Sequence, residues 1–366
     1  MTKTERMTTA LPPGSTIGIL GGGQLGRMLA MAAARLGFDV AILTPEKDSP
    51  AARVAAHAIV GAYDDEAALA ELARLSDAVT FEFEKVPAAV VARLQALGVE
   101  VAPGPKALAV AQDRVAEKSF FVEVGVPTVA FAAIDTAADI APALERLGAP
   151  ALLKTRREGY DGKGQAWVTS AAEAEAAFAA IGAVPAILEQ KAPFVREVSV
   201  IAARGRDGAV VDYPLTQNTH EDGILRRSVA PAPAADAVRA QATAIVTTLL
   251  DRLDYVGVIG VEMFELEDGR LLVNEFAPRV HNSGHWTLDA CQVDQFEQHI
   301  RAVAGWPLGP TEPMMAVEMT NLLGAEAADP AILSDPDARV WLYGKRGSRA
   351  YDARRKMGHV NRLKPL

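Results

Sequence analysis

The 366-residue chain has one cysteine, Cys291, which excludes an internal disulfide and a thiolate metal cluster. Its neighbours read as helix, so Cys291 is expected to be a small buried hydrophobe. No apolar run reaches about 18 residues, so no membrane span is expected. Basic charge is short: 37 Lys and Arg stand against 46 Asp and Glu, a net charge of -9. That balance disfavours a nucleic-acid partner, because phosphate backbones need basic faces. It leaves room for a small anion in a local basic pocket. The opening MTKTERMTTALPPGS carries positive charge without an apolar core behind it, so it does not read as a secretory signal. Residues 1–14 are expected to form a disordered leader, and the cytoplasm follows as the default location. Internal repeats are absent. Half the residues are hydrophobic and 23% charged, an ordinary balance for a globular chain of two or three domains.

Alternating apolar strands and helical patterns run from Ser15 to about Pro105, which reads as an α/β domain. A strand at Ser15 to Leu20 meets Gly21-Gly22-Gly23-Gln24-Leu25-Gly26, and a helix follows from Arg27 to Leu36. The G-x-G-x-x-G turn offers backbone N–H groups to a phosphate or another polar ligand. The bland alternative is a tight strand-to-helix turn. A dinucleotide site also wants an acid closing the second strand, and here Thr44-Pro45-Glu46 brings it late. Thr80-Phe81-Glu82-Phe83-Glu84 ends another strand. Glu82 is there either for a substrate hydroxyl or amine, or as a solvated acid.

Lys106 to Val124 reads as one helix, with Asp113, Arg114 and Lys118 on a polar side. A strand at Ala151 to Lys154 precedes Glu158-Gly159-Tyr160-Asp161-Gly162-Lys163-Gly164-Gln165. Three glycines with lysines nearby fit a mobile flap over phosphates, with Lys154 as a point charge. Asp161-Gly162 equally favours a hairpin turn, and a hairpin can still be a lid. Glu189-Gln190-Lys191-Ala192-Pro193 reads as a hinge between domains. Nucleotide bases bind in such clefts. Val210 to Pro214 reads as strand and Thr216 to Arg227 as strand and loop. His220 in that stretch is by base rate a packing residue, although Asn218, Glu221 and Asp222 surround it.

Val258 to Leu266 and Leu271 to Thr287 carry the densest chemistry. Two strand-type runs flank Asp268-Gly269, a hairpin signal, and place Glu262 and Glu275 one on each run. Two carboxylates beside the amide of Asn274 make an oxygen-rich site of the kind Mg²⁺ takes alongside phosphates. Arg279, His281, Asn282 and Ser283 follow, rich in cation and donor groups, and the whole set points to phosphoryl transfer. Thr287 to Val303 reads as one helix. Near the end, Val340 to Gly344 precedes Lys345, Arg346, Arg349, Arg354, Arg355, Lys356 and His359. This basic cluster in an acidic chain is expected to be a pocket for a substrate phosphate.

GGGQLGRM, TFEFE, YDGKGQ, NEFAPRVHNSGHWT and YGK…RKMGH, in that order, resemble the ATP-grasp superfamily from about Thr16 to Leu363. Within it they resemble the branch that carboxylates 5-aminoimidazole ribonucleotide in purine biosynthesis. The resemblance implies an α/β, ATP-grasp architecture. Its parts would be a Rossmann-like domain over 15–110, a lid over 111–190 and a C-terminal domain over 191–366. It implies ATP, bicarbonate and 5-aminoimidazole ribonucleotide as substrates, Mg²⁺ (or Mn²⁺) as the metal, and a homodimer. Arg114, Lys154 and the flap Gly159, Tyr160, Asp161, Gly162, Lys163, Gly164 and Gln165 would bind ATP. Glu189, Gln190, Lys191 and Ala192 would hold the adenine, Glu197 the ribose, and His220, Asn274 and Glu275 the rest of the nucleotide. Glu262 and Glu275 would ligate the metal. Lys154, Arg279, His281 and Asn282 would be catalytic. Gln24, Glu82, Tyr160, Asp161, Lys163, Arg279, His281, Asn282, Ser283, Lys345 and Arg355 would grip bicarbonate or the ribonucleotide. The connection RGSRAYDAR is about two residues longer than the family's usual pattern. Arg354 and Arg355 therefore remain alternatives at the phosphate. A different ATP-grasp ligase, a nicotinamide-dependent oxidoreductase and a nucleotide sensor without turnover are the rival readings.

Overall fold

The computed structural model describes residues 10–157, 159, 163–346 and 352–366. Its first sheet comes from short, mostly apolar strands, whose central members bury both faces when helices cover a parallel sheet. They are β1 (Thr16–Leu20), β2 (Asp39–Thr44), β3 (His57–Val60), β4 (Ala78–Phe81) and β5 (Glu100–Val101), ordered β3-β2-β1-β4-β5 and all parallel. Ile17, Ile19, Leu20, Val79 and Phe81 are inaccessible to solvent. Burying each such side chain contributes about 1.5–3 kcal/mol. The first helix is Gln24–Arg35, starting three residues earlier than its apolar periodicity indicates.

Residues 10–14, expected to belong to a disordered leader, are held by the body of the protein. Leu11 N–H donates to the Ala304 carbonyl at 2.8 Å, and Trp306 Nε1–H to the Leu11 carbonyl at 2.8 Å. Residues 10–14 are thus tied to the rest of the protein, and residues 1–9 lie outside the described set.

The second sheet is small and antiparallel, ordered β6-β9-β7-β8. Its strands are β6 (Phe131–Ile134), β7 (Ala151–Thr155), β8 (Gln165–Val168) and β9 (Ala186–Gln190). Before it, the expected single helix is two, Pro105–Ala111 and Arg114–Glu123. Asp113 breaks it by capping the second helix, accepting from Val115 N–H and Ala116 N–H. Arg156, 2.8 Å away, holds the capping carboxylate from the lid side.

The third sheet has nine strands, ordered β15-β14-β10-β12-β13-β16-β18-β17, with β11 beside β10. They are β10 (Phe194–Arg204), β11 (Val210–Asp212), β12 (Thr216–Glu221), β13 (Ile224–Ala230), β14 (Gly257–Leu266), β15 (Leu271–Ala277), β16 (Ala316–Leu323), β17 (Ala338–Leu342) and β18 (Lys356–Lys364). The expected loop after Thr216 is a hairpin, turning at Asp222 (φ 51°) and Gly223 (φ 76°). The helix expected over Thr287 to Val303 is also broken, into Thr287–Ala290 and Gln295–Ala304. Asp294 caps the second piece. Cys291 sits extended between them, bridging to Pro313, and is buried as expected. Alternation along β10 separates two environments. Val198, Val200 and Ala202 join the core under the helix Asp236–Arg252, while Glu197 and Ser199 face the other way. Among the described residues no helix is long and apolar enough to cross a membrane.

Candidate active site

The two acids of the hairpin meet. Glu262 on β14 is the register partner of Glu275 on β15, so both carboxylates stand on one face. The register slips between Glu262 and Met263, which makes Asn274 the extra residue of a bulge. Its Oδ1 is buried without a protein partner. Burial and the charge of Glu275 push the Glu262 carboxyl up. Burial would raise Glu275 as well, but Arg114, Lys154 and His281 override it and hold that carboxyl low. Arg114 Nη1 donates to Glu275 Oε2 at 2.7 Å. Two opposed carboxylates and an orphaned amide oxygen fit a hard divalent cation. Among the described residues no cluster of three or more His, Cys, Asp or Glu forms a metal cage. A cation here would complete its shell with substrate oxygens and water, as Mg²⁺ commonly does.

Lys154 is the penultimate residue of β7 and is 6% exposed. Its Nζ donates to Glu189 Oε2 at 2.6 Å, and Lys118 Nζ stands 3.8 Å from Glu189 Oε1. Lys118 also donates to the Asn274 and Val273 carbonyls. No motif in the sequence names this role for Lys118. The signal was its place four residues after Arg114, on the same helical face. Glu117 was missed too: it accepts Phe276 N–H at 2.8 Å, and burial and the charge of Glu275 push its carboxyl up to about 8.

At the flap, Thr155 N–H donates to the Gly164 carbonyl at 2.8 Å. Gly164 has φ +68°, and a Cβ there would collide with the Thr155 side chain, so only glycine fits. Gln165 pairs with Lys154 in register, and Gly159 accepts from Arg114 at 3.3 Å. Lys163 is adjacent, whereas Tyr160, Asp161 and Gly162 lie outside the described residues. Lys191 and Ala192 connect β9 to β10, with Lys191 Nζ 5.9 Å from the Trp167 ring centre. The N–H of Gln190 is already used by the Ala130 carbonyl. Glu197 and His220 form a pair, Oε2 to Nδ1 at 2.7 Å.

Arg279 donates from Nε to Glu84 Oε2 at 2.5 Å, a partner the sequence reading did not single out. His281 stands with Nε2 3.6 Å from Glu262 Oε1. Burial, Arg279 and Lys356 hold its imidazole down, to about 3, so it is neutral near pH 7. Asn282 exchanges amide hydrogen bonds with Asn321 at 3.0 and 2.7 Å. Ser283 needs correction: expected to touch substrate, it is fully buried between Ser199 and His281. A cleft of about 320 Å³ is lined by Arg114, Glu275, Arg279 and His281, by Glu84 and Lys85, and by Arg156 and Gly159.

Glu82 explains the glycine fingerprint. Its carboxylate accepts from Gly23 N–H and, at 2.6 Å, from Gly26 N–H. A Cβ on Gly21 or Gly23 would collide with that carboxylate. The helix N-terminus therefore holds the protein's own anion, not a dinucleotide phosphate. Gln24 is the first residue of that helix. Burial raises the Glu82 carboxyl against the pull of Gly26, Gly23, Arg279 and Lys345. Lys345 Nζ donates to the Lys356 carbonyl at 2.6 Å. Arg354 donates to the Asp222 carbonyl at 3.0 Å, while Arg355 leads into β18. Arg349 lies outside the described residues.

A small antiparallel lid sheet over a larger one, with paired acids and buried lysines between, defines an ATP-grasp protein. The ATP-grasp domain family matches residues 119–296, the ribonucleotide synthetase preATP-grasp domain 15–112, and the phosphoribosylaminoimidazole carboxylase C-terminal domain 318–365. The N5-carboxyaminoimidazole ribonucleotide synthase of Brucella melitensis is 53% identical over 98% of this chain and 98% of its own. A solved N5-carboxyaminoimidazole ribonucleotide synthetase in its ADP complex superimposes with TM-score 0.93 at 40% identity, covering 98% of this chain and 95% of its own. The Aspergillus clavatus enzyme, solved with ADP and 5-aminoimidazole ribonucleotide, gives TM-score 0.89 at 32% identity over 97% and 95%. The chain belongs to the N5-carboxyaminoimidazole ribonucleotide synthase family.

Proposed function

We propose how this site performs its family's reaction, the ATP-dependent carboxylation of 5-aminoimidazole ribonucleotide to N5-carboxyaminoimidazole ribonucleotide in purine biosynthesis. The observation that carries the reading is the register pairing of Glu262 with Glu275 beside Lys154, Arg279 and His281. Bicarbonate is a poor electrophile because its hydroxyl leaves badly. Transfer of the terminal phosphoryl group of ATP to a bicarbonate oxygen gives carboxyphosphate and ADP. Carboxyphosphate then releases CO₂ and phosphate beside the waiting amine, and the new C–N bond forms with loss of the amine proton.

Each residue's part follows from its chemistry. Lys154 and Arg114 offset charge on the nucleotide phosphates. Glu262 and Glu275, with Asn274 beside them, would hold Mg²⁺, which when bound neutralises phosphate charge and orients the transferring group. Arg279, neutral His281 and Asn282 position bicarbonate and its phosphorylated form. Glu189 to Ala192 hold the adenine, and Glu197 with His220 the ribose side. The flap excludes water that would hydrolyse carboxyphosphate. Glu82, Gln24 and Lys163 face the ribonucleotide, and Lys345 with Arg355 takes its phosphate. Arg355 is favoured there because the Arg354 guanidinium is engaged at Asp222. A cytoplasmic homodimer completes the reading.

Phosphate release measured with separate acceptors tests it. Bicarbonate-dependent turnover is expected with 5-aminoimidazole ribonucleotide and not with glycinamide ribonucleotide. Equal rates with the two acceptors would overturn the assignment.

A further inference from the structure

A row of polar side chains crosses the large sheet on the face that carries the acids. Ser199 on β10 is the register partner of Glu262, and Asn218 on β12 is the register partner of Ser228 on β13. Ser228 Oγ–H donates to Asn218 Oδ1 at 2.8 Å, and Asn218 Nδ2–H donates to Ser199 Oγ at 2.9 Å. Ser199 Oγ–H donates to Ser283 Oγ at 2.7 Å, and Ser283 Oγ lies 2.9 Å from His281 Nδ1. The three serines are wholly buried and Asn218 is 6% exposed. A buried polar row is costly unless its members are satisfied, and here each side chain has a hydrogen-bond partner in the row.

The direction of the row is set at its end. Ser283 backbone N–H points at His281 Nδ1 from 3.4 Å, as in a helix N-cap. A proton on Nδ1 would face that N–H and clash with it. Nδ1 is therefore the acceptor, Ser283 Oγ–H its donor, and the ring proton sits on Nε2. Reversing the Asn218 amide would reverse every bond and end on a protonated Nδ1, which the peptide N–H disfavours. Gln295 fixes the same residue from behind, accepting from His281 N–H at 2.8 Å and donating to its carbonyl at 2.7 Å. Gly260 leaves space for the ring, since a Cβ there would lie 2.5 Å from the Cβ of His281.

We propose that Ser228, Asn218, Ser199 and Ser283 form a positioning relay that locks His281 as the Nε2–H tautomer, its donor turned outward to the bicarbonate oxygens. The inference rests on reading this site as the one that phosphorylates bicarbonate. Nε2 stands 3.6 Å from Glu262, just beyond hydrogen-bond length, so its proton serves a ligand oxygen without being consumed by the acid. A histidine oriented this way gives a directional neutral donor, as outer partners do for metal-bound imidazoles. These four residues do not touch substrate; they act through His281.

Two readouts test the relay. Long-range ¹H–¹⁵N spectra of protein labelled at its six histidines report each tautomer, with His281 assigned by its loss in His281→Gln. Wild type is expected to show Nε2–H at His281, and Ser283→Ala a mixture. Steady-state kinetics should show kcat falling about 10–100-fold in Ser283→Ala, with KM for ATP unchanged. Ser228→Ala, at the far end of the row, should shift both readouts the same way but less. His281→Gln, whose amide can reach the Nε2 position, should retain more activity than His281→Asn. If Ser283→Ala does not fold, Ser228→Ala and the wild-type spectrum still decide. Nδ1–H at His281 in wild type, or undiminished kcat in both serine variants, overturns the relay. Failure of wild type to turn over bicarbonate and 5-aminoimidazole ribonucleotide would instead overturn the reading of the site, and the spectrum would still judge the relay.

Discussion

Glu275→Gln is expected to lower kcat by about 10³-fold while the protein stays folded, because it removes one of two opposed charges that hold the cation. The amide keeps the shape of the side chain and leaves β14 and β15 in register. Three partners change at once. Arg114 loses the carboxylate it meets at 2.7 Å, Glu262 loses the neighbour whose charge raises it, and the divalent ion loses a ligand. Raising Mg²⁺ should recover part of the rate, since weaker ligation is partly offset by mass action. Steady-state ADP release across a metal titration measures this. Full activity in the variant, indifferent to metal, would instead fit a site that works without a divalent ion, as in the nicotinamide reading.

Lys154→Met is expected to cost both turnover and stability. Lys154 and Glu189 are 8% and 4% exposed at their side chains, a buried pair at 2.6 Å. Breaking such a pair from one side costs about 3–5 kcal/mol, mostly from the charge left behind. Lys118, 3.8 Å from the other oxygen of Glu189, keeps the loss near the lower end of about 3 kcal/mol. Urea unfolding should show a lower midpoint with unchanged slope. Activity should fall about 10²–10³-fold, because phosphate charge loses its nearest fixed cation. Adding Glu189→Leu to Lys154→Met should restore much of the stability and none of the activity. A double variant that regains both would place Lys154 outside the chemistry.

The strands were legible wherever apolar runs were short and bounded by turns, as at Thr16–Leu20 and Ala78–Phe81. The facing of Glu262 and Glu275 was legible because Asp268-Gly269 marked the hairpin between them. The Asn274 bulge was not, since it depends on how two strands slip rather than on one residue's preference. The break at Asp113 was hidden because no glycine or proline marks it; its cap is completed by Arg156, just beyond β7 and distant in sequence. The Asp222-Gly223 turn, in contrast, was written in the chain and was passed over. The glycine fingerprint misdirects: its motif promises an outside phosphate, and the anion supplied is Glu82, an intramolecular partner no local pattern names. Ser283 went astray for the same reason. Its partners arrive from β10 and, through Asn218, from β12 and β13, which only tertiary register brings together.

The most direct measurement is a crystal structure grown with a non-hydrolysable ATP analogue and Mn²⁺, with anomalous scattering used to place the ion. One peak ligated by Glu262 and Glu275 and by the nucleotide phosphates is the expected result. Acids turned to separate surroundings, with the ion bound elsewhere or to neither, would contradict the account.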